Sequence, residues 1–214
     1  MQIDVIILTE CWTNVDNPPP YMDNYNTFWT KNTLNQNDGV VVYVRKQLKV
    51  TSFSEPDFSE GNCLIITINT EFTFICSYRP PSFRNISSYL NSLESVLCTI
   101  KTQNKILAGD INLDILSDNI TGAGHDYLNT LAMYGLRQGV NKPTRQNSCL
   151  DHFMVKCCKT WKTVVFEQQL TDHQPVLLYI NNAMATRKNF TSQKIKINYL
   201  YIKMKPVFRC HDIT

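Results

Sequence analysis

Acidic, amide and imidazole side chains cluster in four short segments of the sequence, and each segment adjoins an apolar run. The segments are residues 8–10, 109–112, 148–152 and 171–173. Because neighbouring strands can end at one rim of a sheet, the polar side chains of these segments can converge there. Carboxylates that converge repel one another unless a divalent cation lies between them. The pattern therefore predicts a metal site built from distant parts of the chain.

The donor atoms in these segments are carboxylate and amide oxygens together with imidazole nitrogens. The chain has eight cysteines, but none are spaced as a Cys-x-x-Cys pair, so a structural zinc site is not expected. Hard oxygen ligands favour Mg²⁺ or Mn²⁺. Such an ion beside an imidazole suits phosphodiester hydrolysis, because the ion stabilises charge on phosphate oxygens while a side chain handles the proton.

Each segment also has an ordinary structural explanation when it is taken alone. Glu10 can be a strand end in solvent, and Asp110 can cap a turn. Asp172 and His173 can be a surface pair, and we interpret His152 as a packing histidine. Only the combination of segments, in this order, indicates a catalytic site.

Five stretches of sequence, found in order over residues 3–180, resemble the endonuclease/exonuclease/phosphatase superfamily. They read LTECW, SYRPPS, LAGDINLDI, NKPTRQNSCLDHFMV and LTDHQPV. The second and fourth are more similar to the apurinic-type endonuclease domain of non-LTR retrotransposons than to abasic-site repair enzymes. The inositol-phosphatase and sphingomyelinase branches resemble this chain less.

The resemblance implies Mg²⁺-dependent nicking of DNA, with Mn²⁺ as a possible substitute. Glu10 would bind the metal, and Asp172 would lie near or on it. Tyr78 would be a catalytic residue that contacts the scissile phosphate. Thr144 would lie near the DNA, and Arg145 beside it would either contact phosphate or be solvated.

The resemblance also assigns catalytic roles to four more polar residues. Asp110 would position or activate the attacking water, and Asn112 would hold that geometry. His173 would hydrogen-bond the phosphate and stabilise the transition state. Asp151 would orient the imidazole of His173.

The elements that must position these residues are many short strands and two helices. Apolar and β-branched runs predict the strands, and apolar residues at helical spacing predict helices over 86–100 and 126–134. This pattern favours two packed sheets with helices outside. The resemblance specifies an α/β, four-layered sandwich of two mixed sheets flanked by helices. The predicted strands are residues 5–8, 40–44, 64–68, 72–78, 105–108, 150–155, 163–166 and 175–180.

Charge divides the chain into two parts that the overall net charge of +3 conceals. Residues 1–180 hold 14 Lys or Arg against 17 Asp or Glu, whereas residues 181–214 hold 7 against 1. We predict a domain over 1–180 and a basic tail or linker over 181–214. The tail either holds phosphate backbone electrostatically or is a solvated connection, since its composition suits both.

One feature of the family is missing from this sequence. Members begin with a core strand that carries an asparagine and precedes the metal-binding glutamate, but here Glu10 comes almost at the start. We therefore expect an incomplete domain in which at least one strand next to the missing one, such as residues 5–8, has an unpaired edge. Such an edge would lower stability, and the lost asparagine would weaken activity.

Composition and context limit the class of protein. The first residues lack the features of a signal peptide, and no apolar run is long enough to span a bilayer. We expect reduced cysteines and a nuclear or cytoplasmic location rather than secretion. The partners implied by the resemblance are DNA and, in a full-length element, a reverse transcriptase domain.

Three alternatives remain open at this point. The first is a degenerate domain of the same fold that at most binds nucleic acid. The second is a phosphatase or lipid phosphodiesterase on the same scaffold. The third, a β-rich interaction domain without catalysis, has to treat five ordered motif matches as coincidence.

Overall fold

The computed structural model describes residues 3–32, 35, 38–83, 85–116, 120–168 and 171–181, together with the backbone of 197–201. Within these residues there are twelve strands and two helices. In chain order the elements are β1 (Val5–Thr9), β2 (Tyr25–Trp29), β3 (Val40–Arg45), β4 (Val50–Ser54), β5 (Asn62–Ile68), β6 (Phe72–Tyr78), α1 (Ile86–Thr99), β7 (Asn104–Asp110), α2 (Gly122–Met133), β8 (Arg137–Gln138), β9 (Asp151–Lys156), β10 (Trp161–Val165), β11 (Val176–Ile180) and β12 (Ile197–Tyr201).

The strands form two six-stranded mixed sheets. Sheet A has the order β10-β11-β12-β1-β3-β2, and sheet B has the order β4-β5-β6-β7-β9-β8. Most neighbours are antiparallel, but β1 with β12 and β6 with β7 are parallel. The predicted α/β sandwich of two mixed sheets is therefore confirmed.

The core lies between the two sheets because strands of both present buried apolar side chains to it. Val40, Val42 and Val44 of β3 are fully buried and share one cluster with Ile66 and Phe74 of sheet B. The alternate residues of β3 belong to a second cluster, as the two-residue period of a strand requires. Strands β6 and β7 are buried along their whole length, so sheet B provides the most rigid support for the site.

Both helices contribute to the main core. Leu93 and Leu97 of α1 and Tyr127 and Leu131 of α2 are buried in the same cluster as sheet B. The hydroxyl groups of Tyr89 in α1 and Ser77 in β6 lie 3.0 Å apart. The helices therefore brace the sheet whose strand ends carry most of the polar residues singled out from the sequence.

The expectation of an unpaired edge on β1 is wrong. Strand β12 lies parallel to β1, with Val5 beside Tyr199 and Ile7 beside Tyr201. It also pairs antiparallel with β11, so a segment that composition indicated as tail or linker includes a central strand. Strand β12 contains an asparagine, Asn198, next to Tyr199, the partner of Val5. Asn198 therefore lies at the end of β1 opposite to Glu10. It does not take the place of the active-site asparagine expected from the family.

The seven cysteines within the described residues are all free thiols. No helix in the same part of the chain is long and apolar enough to cross a membrane.

Candidate active site

Two buried carboxylates face each other where β7 ends and β9 begins. Asp110 and Asp151 are register partners in the antiparallel pair of these strands, and both are almost fully buried. The Nδ1 atom of His173 lies 2.7 Å from Oδ2 of Asp151. Ligand atoms of the three side chains lie within 4.8 Å of one another, and we call these residues the acidic cluster.

The approach of β7 to β6 explains why glycine precedes Asp110. Gly109 has a φ of +149°, and a Cβ at this position would lie 1.7 Å from the carbonyl oxygen of Ser77. Any other residue would push the strands apart. The next peptide group continues the contact, because the N–H of Arg79 donates to the carbonyl of Asp110 over 2.9 Å. Gly109 therefore allows β7 to lie close to β6, and this close approach positions Asp110 in the interior of the fold.

Asn112 holds the carboxylate of Asp110 from the following turn. Its backbone N–H donates to Oδ1 of Asp110 over 3.1 Å, and its side-chain Nδ2 donates to the carbonyl of Arg79 over 2.9 Å. The φ of Asn112 is +49°, a left-handed conformation that asparagine tolerates better than most residues. The residue thus ties the end of β7 to the end of β6, as the geometry-holding role requires.

Tyr78 and Glu10 join the two sheets. The Tyr78 hydroxyl donates to Oε1 of Glu10 over 2.7 Å. Burial raises the pKa of Tyr78, and the hydrogen bond and the negative charges of Glu10, Asp110 and Asp38 raise it further. The phenol therefore keeps its proton and remains a hydrogen-bond donor. The negative charges of Glu10 and of Asp110 in the acidic cluster both act on this hydroxyl.

Asp172 and Arg145 form an ion pair that is not part of the acidic cluster. A guanidinium nitrogen of Arg145 lies 2.7 Å from Oδ2 of Asp172, and both side chains are more than a third exposed. Asp172 is adjacent to His173 in sequence, but it is not among the three residues that share the cluster. The pair forms a charged rim next to the buried groups.

Thr144 requires a correction, because it is buried rather than placed against a substrate. Its side chain is fully inaccessible, and its hydroxyl accepts the backbone N–H groups of Leu150 and Asp151 at 3.0 Å each. Its carbonyl accepts from the N–H of Gln174 over 2.7 Å. Thr144 therefore connects the start of β9 with the segment of His173, and of the two predicted substrate contacts only Arg145 is accessible.

His152 is a packing histidine, as interpreted from the sequence, but it packs against the site. Its Nε2 lies 3.0 Å from the carbonyl of Leu113 and 3.1 Å from that of Cys149, and its Nδ1 lies 2.9 Å from the hydroxyl of Tyr127. Since carbonyls only accept, Nε2 carries the hydrogen. Burial lowers the pKa of His152 to about 4, although the carbonyl contacts act to raise it.

Sequence reasoning missed two buried polar residues, Asp38 and Asn62. Both are at most 3% exposed. Asn62 is the register partner of Tyr78, and its Oδ1 accepts the N–H of Gly39 over 3.2 Å. Asp38 precedes the apolar strand β3, so the strand-end rule that selected Glu10 and Asp110 could have found it.

The acidic cluster fits a hard divalent cation. Oδ1 of Asp151 is buried and has no hydrogen-bond partner among the described residues. A buried carboxylate oxygen in that state is costly unless a positive charge meets it. Asp110 offers a second carboxylate nearby, and carboxylate oxygens suit Mg²⁺ or Mn²⁺. Glu10 and Asp172, the ligands implied by the resemblance, instead contact Tyr78 and Arg145.

No protein-family model matches the sequence, and no characterised protein sequence matches it either. Solved structures do match. A truncated TDP2 from Caenorhabditis elegans is 13% identical with a TM-score of 0.52, over 82% of each chain. The mannosyl-6-phosphatase Bt3783 from Bacteroides thetaiotaomicron is 13% identical with a TM-score of 0.56, over 83% of this chain and 85% of that one.

A third similar structure carries the family name. It is an endonuclease/exonuclease/phosphatase family protein from Bacteroides thetaiotaomicron, 13% identical with a TM-score of 0.52, over 72% of this chain and 74% of that one. At this identity the likeness concerns the fold and not the activity. The chain therefore has the fold of the endonuclease/exonuclease/phosphatase superfamily.

Proposed function

We propose that this protein is a divalent-metal-dependent phosphodiesterase that nicks DNA, of the type found in non-LTR retrotransposons. The observation that carries the proposal is the buried pair of His173 and Asp151 opposite Asp110. A fixed imidazole beside two carboxylates at the end of a sandwich is a proton-handling site. The retrotransposon origin rests on the sequence stretches SYRPPS and NKPTRQNSCLDHFMV.

Each residue of the site has a step it can perform. The Asp110 carboxylate accepts a hydrogen bond from the attacking water and draws its proton away. The backbone N–H of Asn112 holds that carboxylate in place. Asp151 orients His173 through Nδ1, and the other ring nitrogen donates to the phosphate when the imidazole carries both protons. The Tyr78 hydroxyl has a single hydrogen, which it donates to Glu10, so it becomes a second donor to the phosphate only when it releases Glu10.

Asp110 and the unpartnered Oδ1 of Asp151 are the groups best placed to hold the cation. When bound there, Mg²⁺ or Mn²⁺ supplies charge stabilisation for the phosphate oxygens. Glu10 and Asp172 join this ligand set only by exchanging their contacts with Tyr78 and Arg145.

DNA is the proposed partner, and Arg145 is its proposed contact. Arg145 stands at the rim beside the buried cluster, and a guanidinium suits phosphate geometry. In a longer element a reverse transcriptase domain would act on the nick. The proposed location is the nucleus or the cytoplasm.

A phosphomonoesterase is the second candidate. It is favoured by one observation, that a structure with a TM-score of 0.56 to this chain is named a mannosyl-6-phosphatase. The acidic cluster does not distinguish a monoester from a diester, because both present anionic oxygens to the same donors.

The test compares three substrates with the full chain: supercoiled plasmid, an abasic duplex and mannose 6-phosphate. Each is incubated with Mg²⁺, with Mn²⁺ and with EDTA. We expect conversion of supercoiled to open-circular plasmid with either metal and none with EDTA. Hydrolysis of the sugar phosphate without nicking would establish the second candidate, and nicking that survives EDTA would refute the metal requirement.

A further inference from the structure

Strand β12 stands between two strands that do not otherwise meet. In sheet A it separates β11 from β1 and pairs with both. Without it the described sheet would divide into a β10-β11 hairpin and a three-stranded β1-β3-β2 sheet. Its connection from β11 runs through residues 182–196, which lie outside the described residues.

Each of the two strands that β12 separates is close in sequence to a site residue. Glu10 directly follows β1, and β11 begins at Val176, soon after His173. Each of these residues contacts sheet B. Glu10 accepts from Tyr78, and His173 contacts Asp151, each over 2.7 Å.

These two cross-sheet contacts require a particular separation of β1 and β11. With β12 between them the separation is two strand spacings, about 9.5 Å, and without it paired strands stand about 4.8 Å apart. Closing the gap would move one contact by a whole strand spacing. Leaving it open would expose a row of unpaired backbone groups on each side.

We infer that β12 is a positioning strand, which sets the distance between the Glu10 and His173 halves of the candidate site. Four of its five residues, Ile197, Tyr199, Leu200 and Tyr201, are strand-favouring or apolar. Strand β12 is therefore required for the geometry of the site, in addition to any contact that the charges around it in the sequence make with DNA. The catalytic part of this inference rests on the proposed function, whereas the structural part does not.

The first experiment is hydrogen exchange of the unmodified full chain. Amides of 197–201 are expected to exchange as slowly as those of β1 and β11, since a central strand is paired on both sides. Exchange of 197–201 at the rate of an unstructured peptide would overturn the inference. This measurement needs neither a variant nor an activity.

The second experiment replaces Leu200 in the full chain. Leu200→Pro removes a backbone N–H and does not fit a strand paired on both sides. Leu200→Val keeps the backbone N–H and favours a strand. With Leu200→Pro, exchange should rise at least about tenfold in β1 and β11 while β6 and β7 stay protected. Unchanged exchange in β1 and β11, or equal effects of the two substitutions, would overturn the inference.

Nicking by the same variants separates positioning from mere folding. A displaced site should lower kcat by about a hundredfold with a smaller change in KM, because small misplacements of reacting groups are costly. Leu200→Val should retain the kcat of the unmodified chain. If the unmodified chain shows slow exchange at β12 but nicks no DNA, the proposed function fails and the structural inference stands.

Discussion

The buried half of the site, formed by Asp110, Asp151 and His173, differs from the exposed half, formed by Glu10, Arg145 and Asp172. The three residues of the buried half are at most 2% exposed, and backbone hydrogen bonds hold the segments of Asp110 and Asp151. In the exposed half Glu10 is only partly buried, and the Arg145–Asp172 pair is more than a third exposed. The reacting groups are thus held rigidly, whereas the groups that meet solvent can change partners when a substrate or cation binds.

Substitution within the rigid half should have the largest effect. Replacing Asp110 by Asn, or His173 by Ala, removes a proton-handling group and should lower the plasmid nicking rate by about 10²- to 10⁴-fold. The measurement is single-turnover nicking with saturating Mg²⁺. Asp126→Asn and His125→Ala on the exposed face of α2 are matched controls. Retention of the full rate in both site variants would refute the assignment.

The next largest effect should be the loss of stability when the buried His152 is replaced. Its ring holds two carbonyls and a tyrosine hydroxyl, so His152→Ala leaves buried polar groups unsatisfied and should cost about 2–3 kcal/mol. The measurement is urea unfolding at neutral pH. The matched control is His125→Ala at an exposed position. Equal urea midpoints for the two variants would contradict a stabilising role for the hydrogen bonds of His152.

The lowered pKa of His152 gives this contribution a pH dependence. Burial lowers the pKa from 6.5 to about 4, so the folded state favours the neutral ring. The stability from this group is complete above pH 6.5 and is lost as the pH falls through 4. Unfolding should be measured in EDTA, which keeps metal binding out of the comparison. A His152→Gln chain that loses stability over this range as steeply as the unmodified chain would contradict the prediction.

The sequence predicted the central strands well because burial on both faces leaves a plain signal. The apolar runs at 40–44 and 72–78 correspond to β3 and β6. By contrast β2 and β4 were missed, since they alternate or expose polar residues such as Asn26, Ser52 and Ser54. Such strands form because a neighbour offers unpaired backbone groups, which a local pattern does not record.

The candidate site was predictable where a motif and a strand end coincide. The structure brings Asp110, Asn112, Asp151 and His173 into contact, and Glu10 joins them through Tyr78. The burial of Thr144 and the pairing of Arg145 with Asp172 were not predictable. Both depend on how a loop folds back on β9 and β11, and this long-range geometry leaves no periodicity in the sequence.

The exposed half of the site should show effects on binding rather than on stability. Arg145→Ala breaks a surface ion pair, so the free energy of unfolding should change by less than about 1 kcal/mol. The KM for DNA should rise several-fold, and the salt dependence of binding should weaken by about one phosphate contact. Arg137→Ala, on an exposed position of β8, is the matched control. An unchanged KM would contradict the proposed DNA contact of Arg145 and would leave only its ion pair with Asp172.

The smallest effect should come from the charges of residues 181–214. Removing the whole segment is a poor test, because it also removes β12 from the centre of sheet A. Changing Lys188, Lys194, Lys203 and Lys205 to Gln lowers the charge and leaves the strand sequence intact. The measurement is DNA binding at several salt concentrations with two unrelated duplexes.

Phosphate contacts carry no base information, so the loss of affinity should be the same for both duplexes. Each phosphate contact that is lost lowers the slope of log affinity against log salt by about 0.9, and we expect a total fall of less than about 0.9, the value expected for Arg145→Ala. The control changes four exposed lysines of the acidic body to Gln and should leave the slope closer to its original value. These lysines are Lys31, Lys46, Lys101 and Lys162. An equal fall in both variants would mean that DNA responds only to net charge, and no fall in the first would make the segment purely structural.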